Sequence, residues 1–311
     1  MNWIKKVLNI GEKIKKVIRD RPSKEDVEKS NWTTCCAGPI LKTELQENQW
    51  VCKSCGKHHR ISCKNRFDLF FGKNNYEIID TPIPNDDPLG GWIDNKPYTE
   101  RLKKARKETG QNSAVLVATG KINGIDITTA AINFNYIAGS IGQAEGEAII
   151  YAAQHAIDNN QAFVYWPSSG GMRMMESMFS LSQMARTTLA VNELKKKKLP
   201  FIVVFCDPVM GGTTASIASL GDILISEPGC LIGFAGRRVI EATVKEKLED
   251  NFQKAERVLE CGFIDLIIER KDLREKIATL LKILLKKNSV ESAINIDETT
   301  ENTRSISPIA S

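Results

Sequence analysis

Two Gly-Gly dipeptides in near-matching surroundings constrain this chain most: Ser168-Ser169-Gly170-Gly171-Met172-Arg173 and Asp207-Pro208-Val209-Met210-Gly211-Gly212-Thr213-Thr214. Each follows a short apolar run that reads as a strand, 162–165 and 201–205, and each precedes a helical pattern. Strand, glycine pair and helix start together put unpaired backbone N–H groups beside main chain that no side chain covers. Such a junction can stabilise a developing oxyanion with backbone alone. One junction is as readily a tight turn. Two within one domain point to a site.

The rest of the main segment supplies the frame. Residues 114–122 and 125–134 carry period-two apolar positions on either side of Asn123-Gly124, a strong hairpin signal. Helical patterns are expected over 145–159, 172–198, 213–220, 238–248, 253–261 and 271–287, with further strand-like pieces at 223–225 and 231–232. Short strands alternating with helices predict an α/β domain. Neither a G-x-G-x-x-G after the first strand nor a G-x-x-x-x-G-K-[ST] occurs, which disfavours Rossmann and P-loop readings.

The chain of 311 residues, 42% apolar and 26% charged, suits one large globular domain with appendages. Its net charge of +5 is too mild to argue for nucleic acid. No apolar run approaches a membrane span, and lysines interrupt every apolar stretch of the first 21 residues, so no signal peptide is expected. Eight cysteines, two of them in a C-x-x-C, then read as reduced thiols plus a metal site in a cytoplasmic protein.

Five segments follow from these patterns. Residues 1–30 form a basic amphipathic segment, with Ile4, Val7, Leu8, Ile14, Val17 and Ile18 on one helical face. Residues 31–66 hold five of the eight cysteines and two of the three histidines and form a zinc-ribbon-like module. Residues 67–112 read as a Pro/Asp/Asn-rich linker running into a charged helix, 113–287 as the main domain, and 288–311 as a disordered polar tail.

No nucleophile with its base is evident in the main domain. His155 sits inside a helix, Ser168 and Ser169 lack G-x-S-x-G context, and Cys206, Cys230 and Cys261 read as buried thiols. Met174, Met178, Leu181 and Ala185 recur at helical spacing and read as core. Lys195 to Lys198 end a helix and read as a solvated face that complements its dipole. Oxyanion donors without a side-chain base suit chemistry in which another group moves the proton.

Here a resemblance becomes specific. Ser169-Gly-Gly-Met-Arg-Met-Met-Glu176 resembles the SGGARMQE signature of the biotin-dependent carboxyltransferases. The second glycine loop, Leu220-Gly-Asp222, Glu227-Pro228, Gly233-Phe-Ala-Gly-Arg-Arg-Val-Ile-Glu241, Lys245-Glu-Lys-Leu248 and Gly262-Phe-Ile-Asp265 extend the similarity over roughly residues 31–285. Within that group the pattern is similar to the family of bacterial acetyl-CoA carboxylase carboxyltransferase beta subunits.

The resemblance implies a crotonase-like (ClpP/crotonase) spiral of ββα units that pairs with an alpha subunit, as α2β2, around a shared active site. It implies transfer of a carboxyl group from carboxybiotin, held on a biotin carboxyl carrier protein, to acetyl-CoA. Malonyl-CoA results, in the first committed step of fatty acid synthesis. The resemblance further implies that released biotin takes the methyl proton. Backbone N–H groups at Gly170, Gly171, Gly211 and Gly212 would hold the thioester oxygen. Arg173 would contact an anionic group of the cofactor or cap a packed turn.

The family's zinc ribbon carries two C-x-x-C knuckles, and only the second, Cys52-Lys-Ser-Cys55, is intact here; the first is shortened to Cys35-Cys36. A knuckle needs its intervening residues to turn both sulfurs toward one metal. Three outcomes stay open. Cys35, Cys36, Cys52 and Cys55 hold one structural zinc in a distorted site; one of the adjacent pair binds with Cys63, His58 or His59 as fourth ligand; or the metal is lost.

Two other classes compete. A different crotonase-like enzyme, including a carboxyltransferase or decarboxylase for another acyl-CoA, would share the glycine loops; hydratases would need a carboxylate pair that cannot be placed. A zinc-ribbon nucleic-acid binder would leave the main domain unexplained, and its basic residues lack interleaved aromatics.

Overall fold

The structure, a computed structural model, describes residues 31–35, 38–245 and 247–285. The expected N-terminal helix, Cys36, the end of the last helix and the polar tail lie outside the described residues. The chain divides into two units, Met1–His59 and Arg60–Ser311.

In the smaller unit, strands β1 (Trp32–Cys35) and β2 (Gly38–Leu41) pair antiparallel, Trp32 opposite Leu41 and Cys35 opposite Gly38. Helix α1 (Lys42–Glu47) follows. Its Leu45 is buried with Cys35 and Cys52, while Ile40 and Trp50 pack against them. So small an apolar cluster is a weak core, and a unit of this size usually needs a metal or disulfides as well.

The larger unit begins earlier than the sequence patterns suggested. Helix α2 (Cys63–Phe71) is capped by Ser62 Oγ, which accepts from Asn65 N–H. It buries Phe67, Phe70 and Phe71. Strand β3 (Tyr76–Ile79) then opens the main sheet by pairing antiparallel with β4 (Val115–Ile122). Of the linker and charged helix expected over 67–112, the helix forms but the stretch ahead of it opens with framework elements, and the smaller unit ends at His59, short of residue 66. The Pro- and Asp-rich stretch follows β3 and leads to helix α3 (Tyr98–Thr109), whose Tyr98, Leu102 and Ala105 enter the core.

The Asn123-Gly124 hairpin forms as predicted. Strand β5 (Ile125–Ile132) pairs with β4 from Ile122–Ile125 to Val115–Ile132. From there the chain winds in one direction. Helix α4 (Gln143–Asp158), β6 (Ala162–Trp166), helix α5 (Ser177–Lys196), β7 (Phe201–Phe205), the short helix α6 (Gly211–Thr214) and β8 (Ile223–Ser226) succeed one another. Helices α7 (Arg237–Val244) and α8 (Ala255–Glu260), strand β9 (Leu266–Ile267) and helix α9 (Leu273–Leu284) complete it. The seven strands lie in chain order, antiparallel through β5 and parallel from β5 to β9.

Central strands covered on both faces explain their unbroken apolar runs. Phe163, Tyr165, Phe201 and Val203 face a core that includes Leu102, Ala152 and Leu194. Val164, Trp166, Ile202 and Val204 face Phe67, Phe70, Ile277 and Leu281 on the other side. After each parallel strand the chain makes a second, very short parallel pairing: Ser169 with Val209, and Val209 with Ile232. Strand, short strand and helix thus repeat as the ββα spiral of the crotonase-like fold.

The helix expected over 172–198 starts at Ser177, behind a 3-10 turn at Met174–Glu176, and 213–220 breaks into α6 and a 3-10 turn at Ile217–Ser219. Residues 231–232 make only isolated bridges. Two motif aspartates clamp strand starts: Asp222 Oδ2 accepts from Phe201 N–H at 2.8 Å, and Asp265 Oδ2 from Leu224 N–H at 2.7 Å.

Candidate functional site

Both glycine loops leave the carboxyl ends of parallel strands, where open α/β sheets place their ligand crevices. The loops meet main chain to main chain. Met210 N–H donates to Ser169 O at 2.9 Å, and Ser169 N–H to Pro208 O at 2.7 Å. At Gly171 (φ +116) a Cβ would stand 3.5 Å from Gly211 Cα, and at Gly211 (φ +60) one would stand 3.3 Å from Gly171 Cα. The pair therefore permits both a left-handed backbone and the close approach of two loops.

The structure separates the four glycine N–H groups that sequence treated alike. Gly170 N–H donates to Ala138 O at 2.9 Å, Gly171 N–H to Ser169 Oγ at 3.0 Å, and Gly211 N–H to Gly233 O and Phe234 O. Gly212 N–H, in the first turn of α6, has no hydrogen-bond partner among the described residues. Of the four expected donors, three are thus committed to contacts that fix the loops, and the fourth, the buried Gly212 N–H, is unpaired among the described residues.

Arg173 requires a correction too. Its side chain is 1% exposed, and its guanidinium meets Glu145 Oε1 at 2.7 Å and Glu176 Oε1 at 3.1 Å. It also donates to Ser140 O at 2.6 Å, Ser140 Oγ at 3.2 Å and Tyr98 OH at 3.1 Å. Burial opposes its charge, yet Glu145, Tyr98 and Glu176 raise its pKa overall. A guanidinium so enclosed does not reach a cofactor. Nothing in the sequence announced this, because Tyr98 and Glu145 are remote along the chain.

Sequence reading also missed the residues that pin the second loop. Arg60 donates through Nε to Asp207 O at 3.1 Å, pairs with Asp207 Oδ2 at 3.3 Å, and lies over the Phe134 ring at 3.8 Å. Asp207 Oδ1 accepts from Leu231 N–H at 3.1 Å, and Ser168 Oγ donates to Asp207 O at 3.1 Å. Asp207 is therefore committed to structure and offers no general base. His155 is also remote from the loops in role, its Nδ1 lying 2.9 Å from Thr128 Oγ1.

Beside α6 lies a largely apolar cavity of about 800 Å³, lined by Thr214, Ile232, Phe252, Gln253, Val258 and Phe263 among others. Cys261 also lines it and is exposed, against expectation, whereas Cys206 and Cys230 are buried as expected. The methionine row is the larger surprise. Met174 is 79% exposed, Met178 69% and Leu181 49%, and Ala185 is exposed with them. The residues that helical spacing marked as core are exposed, because Met174 precedes the helix in the 3-10 turn and the rest face outward along α5, as Leu189 does.

In the smaller unit, the sulfurs of Cys35, Cys52 and Cys55 lie within 4.8 Å of one another. Cys35 Sγ and Cys55 Sγ are 3.3 Å apart. A tetrahedral zinc with bonds of about 2.3 Å separates its sulfurs by about 3.8 Å, so three ligands fit. The Cys55 backbone N–H above all, against burial and with help from Ser54 N–H, holds the Cys52 thiol down to about 7, which favours the ligating thiolate. Neither His58 nor His59 joins the cluster. Cys63 is a core thiol of the larger unit, donating to Ala131 O at 3.2 Å, and burial pushes it up to about 12. None of these three stands with the clustered thiols, and Cys36 lies outside the described residues.

Comparison with known proteins agrees with this architecture. The carboxyl transferase domain family matches residues 93–260. The chain is 59% identical over 312 residues to the acetyl-coenzyme A carboxylase carboxyl transferase subunit beta of Pelagibacter ubique (strain HTCC1062), covering 100% of both. To the protein of that name from Chelativorans sp. (strain BNC1) it is 44% identical over 252 residues, covering 81% of this chain and 82% of that one. Among solved structures it is similar to transcarboxylase 12S, with TM-score 0.59 and 21% identity, covering 78% of this chain. It spans 43% of that longer chain. A Pseudomonas malonate decarboxylase hetero-tetramer in complex with malonate matches with TM-score 0.55 and 17% identity, covering 79% of this chain and 92% of that one.

Proposed function

The chain belongs to the carboxyl transferase family, among the acetyl-coenzyme A carboxylase beta subunits, and from that premise we propose how its own residues serve the transfer of a carboxyl group to acetyl-CoA. The observation that carries the reading is the junction of the two glycine loops, with Gly212 N–H unpaired among the described residues beside the Gly171–Gly211 contact. An enolate forming at the thioester would place its oxygen at that N–H. A single preorganised donor of this kind is worth roughly 2.7–4 kcal/mol in acyl-transfer sites.

Carboxybiotin, carried on the biotin carboxyl carrier protein, would supply the carboxyl group and, after losing it, the base for the methyl proton. The chain's own part is to bind, orient and polarise acetyl-CoA. Asp207, Glu145 and Glu176 are tied to arginines, so none competes for that proton. The cavity beside α6 gives room for the apolar stretch of the pantetheine arm.

The exposed row from Met174 to Leu189 favours an alpha subunit as partner, because apolar contiguity on a helix face suits a covered surface. An α2β2 assembly in the cytoplasm completes the proposal; no helix of the described residues is long and apolar enough to cross a membrane. One zinc on Cys35, Cys52 and Cys55, with Cys36 as the remaining thiolate, would brace the small unit without entering the chemistry.

The test is reconstitution. Purified alone the chain is expected to form no malonyl-CoA from acetyl-CoA and a carboxybiotin donor. With an alpha subunit it is expected to gain that activity and to migrate as a mixed complex. Full activity from the chain alone would overturn the proposal.

A further inference from the structure

The segment that backs the first glycine loop is held in an unusual conformation. Ile137, Ala138 and Gly139 have φ of +46, +54 and +62, so two residues bearing a Cβ sit in the left-handed region. Such backbone persists only where its surroundings overdetermine it. The segment also makes the contacts that shape the loop. Ala138 O accepts from Gly170 N–H at 2.9 Å, Ile141 N–H donates to Gly171 O at 2.9 Å, and Arg173 N–H donates to Ile141 O at 2.8 Å.

Behind it stands the buried charge cluster. Arg173 binds Ser140 through both its carbonyl and its hydroxyl. Glu145 Oε2 accepts from Gly142 N–H at 2.9 Å, and Glu176 Oε2 from Gln143 N–H at 2.6 Å. Tyr98 OH donates to Glu176 Oε1 at 2.5 Å, and the Tyr136 ring lies 5.8 Å from the guanidinium. Each group grips the stretch from Ser140 to Gln143 or the Arg173 fork that reaches it. We propose that Arg173, with Glu145 and Glu176, is the positioning group of the first glycine loop, acting through the left-handed segment Ile137–Gly139.

Charge balance alone does not explain the arrangement. A point charge would neutralise the carboxylates, but only a planar fork donates to Ser140, Tyr98 and both glutamates at once. That difference supplies the test, made on the complex with the alpha subunit; its kinetic arm rests on the function proposed above. Arg173→Lys keeps the charge and loses the fork, Arg173→Met loses both, and Glu176→Gln weakens one grip while leaving the arginine in place.

Arg173→Lys is expected to fold, with kcat for malonyl-CoA formation lowered roughly ten- to hundredfold and KM for acetyl-CoA changed by less than about twofold. Glu176→Gln is expected to show the same split to a smaller degree. Amide hydrogen exchange at Gly170 and Arg173 is expected to quicken at least about tenfold in both variants, while amides of the β4–β5 hairpin keep their rates. A folded Arg173→Lys complex with unchanged kcat and unchanged exchange at those amides would overturn the inference. If the wild-type complex makes no malonyl-CoA yet exchange responds, the functional reading fails and the positioning role stands.

Discussion

Ser169 Oγ and Thr213 Oγ1 lie 2.9 Å apart with neither residue exposed, so one hydroxyl–hydroxyl bond ties the first glycine loop to the second. Ser169 Oγ also receives Gly171 N–H at 3.0 Å. The two loops are therefore one unit built from distant parts of the chain. A double-mutant cycle with Ser169→Ala and Thr213→Val is expected to show a coupling of about 0.5–3 kcal/mol in denaturant unfolding. Strictly additive losses would mean that the hydroxyls do not cooperate.

The glycines are expected to differ among themselves. Gly211 combines φ +60 with a Cβ position 3.3 Å from Gly171 Cα, so Gly211→Ala adds strain of about 1–2 kcal/mol and spreads the loops. Gly170 has an ordinary φ, and its Cβ would meet only Ala138 O at 3.4 Å and Ala138 Cβ at 3.7 Å. Steady-state malonyl-CoA formation by the complex is expected to fall sharply in Gly211→Ala and to change little in Gly170→Ala. Equal losses in both would count against a junction centred on Gly171 and Gly211.

Metal content tests the small unit. Purified chain is expected to hold about one zinc, and Cys52→Ser to lose it, because Cys52 is the buried member of the intact knuckle. Chelation is expected to unfold this unit first, since its apolar cluster is so small. Stoichiometric zinc in Cys52→Ser would refute the ligand assignment.

Glu227 gives a pH signature. Burial would raise its pKa, but Arg66 at 2.9 Å and Arg270 at 2.7 Å hold the carboxyl well below the usual range. A depressed folded pKa means stability that is complete above the unfolded value of about 4.3 and lost as pH falls from there. Glu227→Gln takes the shared carboxylate from two buried arginines and is expected to cost about 3–5 kcal/mol at pH 7. The difference in Tm between wild type and variant should narrow below about pH 4.3. A gap that is constant down to pH 3 would exclude this linkage.

Tyr165 OH is buried in the core beside Phe163 and has no hydrogen-bond partner among the described residues. Removing an unsatisfied buried polar group relieves its desolvation, so Tyr165→Phe is expected to raise stability by about 1 kcal/mol. Chemical denaturation measures it. A loss of similar size would show that the hydroxyl contributes after all.

What the sequence determined by itself was local. Period-two runs around Asn123-Gly124 set the hairpin, and apolar runs at 162–165 and 201–205 marked two strands. Glycine pairs after those strands marked the loops. Cys52-Lys-Ser-Cys55 marked two of the three clustered thiols, as each of these rests on chemistry within a few residues. The tertiary structure decided everything that depends on what lies opposite. Helical spacing picked out Met174, Met178 and Leu181 as one face, but only packing leaves that face exposed. Arg173 stands beside the glycines in sequence, yet Glu145 and Tyr98 draw its charge inward. The stretch from residue 67 to the charged helix reads as a linker because Tyr76 to Ile79 is a strand only once Val117 to Gly120 lies beside it. Burial, ion pairing and edge-strand pairing are properties of neighbours in space, and periodicity along one segment carries no information about them.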